Sequence, residues 1–172
     1  MTLSLITILL LVLADRGLKI WLTGLLSQGP VVLIRGVIGL RYTENTGAAF
    51  SMLSKHTWIL IVFTVIAVAV LLYLLYKNRD RSRLMKAALV LIVAGGLGNL
   101  YDRIFQGYVV DYIEVLLFRY AIFNFADCLV CVGAALLLIY LIFFDRDEPK
   151  KEEQEKEPAE KTADETAGEH HE

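Results

Sequence analysis

Before Asp145 the chain contains seven acidic side chains: Asp15, Glu44, Asp80, Asp102, Asp111, Glu114 and Asp127. Its two cysteines (Cys128, Cys131) and three histidines (His56, His170, His171) make neither a disulfide framework nor a plausible zinc set. An enzyme built on this chain would have to work with carboxylates. Asp111 lies in Val-Val-Asp-Tyr-Ile and Asp127 in Phe-Asn-Phe-Ala-Asp, and the 15 residues between them allow a turn that brings both to one place. Each has a plain reading alone: Asp111 as the polar face of a surface strand, Asp127 as the third residue after an Asn124 helix cap. Together they change meaning. Two carboxylates about 4 Å apart at an effective dielectric of about 20 repel by about 4 kcal/mol, or about 3 pK units, so such a pair shares one proton. The ionised member can hold a water while the other protonates a carbonyl or a leaving amine, which is aspartic-protease chemistry. The shared proton belongs to the pair and is assigned to neither residue.

A pair of this kind needs elements to hold it, and composition says what solvent those elements face. The 172 residues are 56% hydrophobic, with mean hydropathy +0.56, above the range of a water-soluble domain. The net charge of -2 hides two halves: Met1–Phe144 carries 12 Lys/Arg against 7 Asp/Glu, and Asp145–Glu172 carries 5 against 12. The basic part is also the apolar part, as in a membrane protein with basic inside loops, and nothing supports nucleic-acid binding. A bilayer core about 30 Å thick needs about 20 apolar residues. Four segments qualify: Leu3–Leu26, Trp58–Tyr76, Leu84–Leu100 and Cys128–Phe144, the last extending back to Asn124. The first run has no basic residues before it and continues through Asp15, Arg16 and Lys19, so it reads as a retained span and not a cleavable signal peptide.

The loop Lys77–Lys86 holds five basic residues against Asp80 and is expected in the cytoplasm, with both termini. Ser27–Thr57 and Tyr101–Phe123 then face outward and must hold any external site. Val31–Tyr42 is rich in β-branched residues and Tyr108–Leu116 alternates, which predicts a small sheet. The expected fold is an α-helical membrane protein, with four transmembrane helices and a small β-sheet with connecting segments at the extracytoplasmic membrane surface. It divides into a catalytic part, 1–144, and an acidic tail, 145–172, whose composition cannot bury a core and predicts disorder in the cytoplasm.

Five motifs in order carry a family resemblance: Asp15–Lys19 (Asp-Arg-Gly-Leu-Lys), Asn45–Ser51 (Asn-Thr-Gly-Ala-Ala-Phe-Ser), Gly98–Arg103 (Gly-Asn-Leu-Tyr-Asp-Arg), Gly107–Tyr112 (Gly-Tyr-Val-Val-Asp-Tyr) and Phe123–Asp127. In order and spacing they resemble bacterial lipoprotein signal peptidase, the type II signal peptidase, over Met1–Phe144. The resemblance implies a four-span aspartic endopeptidase of the bacterial cytoplasmic membrane. It would cleave signal peptides from prolipoproteins on the N-terminal side of a cysteine that already carries diacylglycerol. Carried onto this chain, the catalytic pair falls on Asp111 and Asp127. The surrounding positions are Asp15, Lys19, Asn45, Gly47, Asn99, Asp102, Arg103 and Asn124. No metal or cofactor is implied; the partners are diacylglyceryl-modified prolipoproteins and membrane lipids, and the expected state is a monomer. Leu18 departs from the Ser or Thr common in the first motif, and Ala94 and Gly96 alter the glycine-rich turn.

The surrounding positions also have simpler readings. Asp15 and Lys19, four apart on a helix, can form an intrahelical ion pair, although charges within a span are costly and commonly functional; support of the site is the reading taken. Asn45 before Thr-Gly suits a turn, and equally substrate contact or water positioning. Asn99, Asp102 and Arg103 are expected to cap the outer end of the third span and brace the external segment. Gly95, Gly96 and Gly98 read as close helix packing, and Cys128-Leu-Val-Cys131 as inert thiols. The alternative function is a small transporter or ion-coupled carrier, with Asp15, Arg16 and Lys19 lining a pathway.

Overall fold

A computed structural model describes residues 1–47, 57–80, 82–118 and 120–144. The acidic tail and the end of the second motif, Ala48–Ser51, lie outside the described residues. The chain divides into two units, Met1–Leu138 and Ile139–Glu172, and each is considered by itself. In chain order the elements are α1 (Thr2–Leu26), β1 (Val31–Ile34), β2 (Ile38–Asn45), α2 (Thr57–Lys77), α3 (Arg83–Phe105), β3 (Val109–Val115) and α4 (Phe125–Phe143). Of the second unit, the described residues are the last turns of α4 and Phe144.

Three helices, α2, α3 and α4, are long and apolar enough to cross a membrane. With 25 residues α1 is longer than any of them, but Asp15, Arg16 and Lys19 set it apart. Those charges are turned inward: Ile8, Asp15, Lys19, Leu22 and Leu26 are its buried residues, while Leu9, Leu13, Ile20 and Trp21 are exposed. In a bilayer this inversion is expected, since lipid-facing apolar side chains cost nothing and charges must meet partners inside.

In the first unit α3 is the central helix, packed on both α1 and α2. Eleven of its residues are buried, against Val68 and Leu75 of α2. Its glycines explain how neighbours come so close. A Cβ on Gly95 would lie 2.3 Å from the Ala126 carbonyl oxygen and 2.8 Å from Val130 Cγ2, so α4 rests on the bare α3 backbone. A Cβ on Gly98 would lie 2.7 Å from Asp15 Oδ2, which makes this glycine the slot for an α1 carboxylate. Gly133 of α4 makes the reciprocal approach, toward Ile92 and the Ala88 carbonyl.

The three strands form an antiparallel sheet in the order β1-β2-β3. Leu22 and Leu26 of α1 pack against Val110 and Tyr112 of β3, which seats the sheet on the end of that helix. Thr43 is opposite Asp111 and Asn45 is opposite Val109, so Asn45 and Asp111 are diagonal neighbours on one face. The sheet agrees with the alternation seen in the sequence, with two differences. Val31–Tyr42 is two strands and a turn at Arg35–Val37, where Gly36 takes φ +72°. The helices α2 and α3 extend to Lys77 and from Arg83, so both ends of the basic stretch Lys77–Lys86 are helical.

Candidate active site

Asp127 enters from the first turn of α4. Its Oδ2 accepts from the Asn124 amide at 3.0 Å and its own amide donates to Asn124 Oδ1 at 3.0 Å, the reciprocal pair of a capping box. The cap predicted from Asn124 and Asp127 is therefore present, and it does not exhaust either residue. Asn124 is fully buried, and its Nδ2 donates to Asp111 Oδ1 at 2.6 Å and to Asn99 Oδ1 at 3.1 Å. One side chain thus touches both carboxylate-bearing residues.

Two further asparagines complete the surround. Asn45 Nδ2 donates to Asp111 Oδ2 at 2.8 Å, and Asn99 Nδ2 donates to Asp127 Oδ1 at 2.7 Å. All four carboxylate oxygens consequently accept one N–H, and each keeps a second lone pair. The amide orientations are not arbitrary. Asn45 Oδ1 accepts from the Gly47 amide at 3.0 Å, Asn99 Oδ1 faces the Lys19 ammonium at 3.0 Å, and Asn124 Oδ1 takes the Asp127 amide. Each carbonyl is held by a group that can only donate, so each amino group is turned to the acids.

Lys19 is the hinge of a second, deeper network. Its ammonium lies 2.8 Å from Asp15 Oδ2 and 2.8 Å from Asp102 Oδ2, with all three side chains no more than 1% exposed. The intrahelical pair expected for Asp15 and Lys19 exists, but as part of a larger cluster. Asp102 also accepts from Arg16, from Gln106 Nε2 at 3.0 Å and from the Val110 amide. Two acids and two bases so close to one another neutralise the cluster, the condition under which burial of charge is tolerable. Arg103 reaches the other way, donating from Nη2 to the Gly47 carbonyl at 3.2 Å, and so clamps the turn that orients Asn45.

The expectation that Asn99, Asp102 and Arg103 cap the third span needs correction. The helix runs on to Phe105, and the Gln106 amide closes it on the Asp102 carbonyl at 2.8 Å. The extension is held by the Asp102 side chain, which is satisfied inside the protein and not at an interface. Two contributors were missed by sequence reasoning. Arg16 pairs with Asp102 and stacks 4.5 Å from the Tyr101 ring, and a second charge next to Asp15 in an apolar run was a usable signal. Tyr112 accepts the Phe125 amide at 3.1 Å, and no local pattern announces that contact. Glu44 and Glu114 stand apart, with Tyr42 and Arg41 as their respective partners.

Electrostatically, Asp111 is the perturbed member in the sheet. Burial pushes its carboxyl up to about 6; the Asp127 carboxylate adds to this, while N–H donation from Asn45 and Asn124 and the charge of Lys19 oppose it. A carboxyl held in that range can carry a proton or release it near neutral pH, as general acid–base work requires. Among the described residues, no three His, Cys, Asp or Glu side chains group as a metal site would need.

A family model described as signal peptidase (SPase) II matches residues 7–143. Proteins named lipoprotein signal peptidase align with most of the chain. That of Desulfitobacterium hafniense (strain Y51) is 42% identical over 139 residues, covering 80% of this chain and 91% of the relative. That of Clostridioides difficile (strain 630) is 38% identical over 145 residues, covering 83% and 97%. A solved structure described as a bacterial membrane enzyme, obtained by the in meso method, superposes with TM-score 0.76 at 26% identity, covering 88% of this chain and 94% of the other. The match takes in every residue of both networks, and on that basis the chain belongs to the signal peptidase II family and is a membrane peptidase.

Proposed function

We propose that the protein removes signal peptides from diacylglyceryl-modified prolipoproteins, cutting on the N-terminal side of the lipidated cysteine with Asp111 and Asp127 as the catalytic pair. The observation that carries this reading is the asparagine surround, in which Asn124 donates to both residues while Asn45 and Asn99 each fix one. Such a cage holds two carboxylates together without neutralising either one by an ion pair. The residue types alone leave the shared proton unassigned; in the folded protein Asp111, whose carboxyl burial pushes up to about 6, is the member that starts with it. The Asp127 carboxylate takes a proton from water as its oxygen attacks the scissile carbonyl, and Asp111 protonates the carbonyl oxygen. Collapse of the tetrahedral diol breaks the C–N bond, and the proton held by Asp127 passes to the leaving cysteine nitrogen. The proton of a diol hydroxyl returns to Asp111, so the pair ends as it began.

The substrate fits this position. Two acyl chains hold the cysteine in the outer leaflet, so the scissile bond lies at the membrane surface, at the level of the sheet and the outer ends of α3 and α4. In this reading α1 is the fourth span, its charges screened from lipid by Asp102, Asn99 and α4; the termini and the loop Lys77–Lys86 are cytoplasmic, and 145–172 is a solvated tail. The enzyme works as a monomer in a bacterial cytoplasmic membrane. The carrier alternative is disfavoured because Arg16 and Lys19 are committed to ion pairs with Asp102 and Asp15. The test is purified protein with a diacylglyceryl-modified prolipoprotein, chelator present, and the products mapped by mass. A single cut before the lipidated cysteine is expected; no cut, or a cut elsewhere, would refute the proposal.

A further inference from the structure

The first turn of a helix leaves its leading amides without intrahelical partners. In α4 the amides of Phe125, Ala126 and Asp127 have each found a side chain, from β3, from α1 and from the residue that precedes the helix. The Phe125 amide donates to Tyr112 Oη of β3 at 3.1 Å, the Ala126 amide to Asp15 Oδ1 of α1 at 3.1 Å, and the Asp127 amide to Asn124 Oδ1 at 3.0 Å. Asp15 and Asn124 have other work in the two networks. Tyr112 does not: its ring lies in the apolar cluster with Leu22, Leu26 and Val110, where phenylalanine would fill the same volume. Placing a hydroxyl there is costly unless it is hydrogen-bonded, and the bond it makes is to the turn that carries Asp127.

We propose that Tyr112 is a positioning residue for Asp127, its hydroxyl holding the leading amide of α4 and so setting the spacing of the acid pair. The inference rests on Asp111 and Asp127 being that pair. Asp111 and Tyr112 are consecutive on β3 and point to opposite faces. One strand therefore delivers a carboxylate to the pair and, with the next residue, a tether to the helix bearing the other carboxylate. The bridge between Ile113 and Phe123 ties the same strand to the segment leading into α4, from Phe123 N to Ile113 O at 3.1 Å and from Ile113 N to Phe123 O at 2.7 Å. Errors in either tether would appear directly in the separation of the two acids, and misplacement by about 1 Å costs about a hundredfold in rate.

The test is Tyr112→Phe, assayed on a diacylglyceryl-modified prolipoprotein. A kcat lower by about tenfold is expected with KM unchanged, because the substrate's anchoring does not involve the α4 amide. A general loss of structure would change both. Phe125→Pro supplies the control, since proline suits the first helical position and has no amide hydrogen to hold. In that background Tyr112→Phe should leave kcat unchanged. Hydrogen exchange at the Phe125 amide gives an answer that does not depend on the proline variant, and should be faster in Tyr112→Phe. Wild-type kcat in Tyr112→Phe, an equal loss in both backgrounds, or unchanged exchange would overturn the proposal. Asp127→Asn assayed in parallel separates the two readings. If Asp127→Asn still cleaves, the pair itself is wrong; if it is dead while Tyr112→Phe is normal, only the positioning role is wrong.

Discussion

At the scale of residues, the site is three asparagines turned toward two aspartates, and the direction of each amide is what matters. Asn45 donates to Asp111, so removing it withdraws a group that favours the ionised carboxylate. With the active pair singly protonated, kcat/KM is expected to fall as pH rises through about 6, where Asp111 gives up its proton. In Asn45→Ala that falling limb should move to higher pH, as measured over pH 4–9. The same shift bears on stability. Because the folded-state value lies above the unfolded 3.8, the native protein binds more protons between about 4 and about 6. The contribution from Asp111 is complete below about 4 and is lost as pH rises through about 6, a change of about 3 kcal/mol. Asp111→Asn should abolish this part of the pH dependence of thermal unfolding; an unchanged slope would count against it. The acids were legible in the sequence because so few other groups could do chemistry. The partners of Lys19 were not, since Asp102 and Asn99 are about 80 residues away and only tertiary packing brings them together.

At the scale of elements, glycine decides how closely helices approach, and the glycine-rich stretch was correctly read as packing. Gly95→Ala would drive a methyl into the Ala126 carbonyl at 2.3 Å, displacing the turn that bears Asp127. It should lower the melting temperature and cleavage together. Gly24→Ala in α1 meets nothing within 4 Å and should leave both at or above wild-type values, since alanine favours helix over glycine by about 1 kcal/mol. Equal damage from the two would contradict the packing account. Helix cores were legible from apolar length, while helix ends were not. The third span reads as finished at Leu100 because Tyr-Asp-Arg looks polar, yet Asp102 is fully buried and the helix continues to Phe105. Polarity marks a helix end only when the polar group has no partner inside, and here Arg16 and Lys19 supply one.

For the whole molecule, the expected topology is a site on one face of the membrane and the termini on the other. The five basic residues of Lys77–Lys86 carry that inference. With Cys128 and Cys131 replaced by alanine, a cysteine at Gln28 should react with an impermeant reagent on intact cells and one at Ser82 should not. The reverse pattern would invert the topology and remove the external site. Truncation after Arg146 should leave turnover per folded molecule nearly unchanged, because the tail is expected across the membrane from the acids and its composition cannot bury a core; a large fall at normal membrane level would refute this. Composition made the membrane class legible, and the order of five motifs made the family legible. The charges of α1 were legible as anomalous, but their joint burial with Asp102 depended on a distant helix.

The most direct measurement is turnover of lipid-modified prolipoprotein by Asp111→Asn, Asp127→Asn and the double variant, each confirmed to be folded in the membrane and able to bind substrate. If the two acids act as one unit, either single change lowers kcat by about a thousandfold or more, and the double variant is scarcely slower than either. Near-normal cleavage by a single variant, or losses that multiply in the double variant as for independent sites, would contradict the shared-proton mechanism.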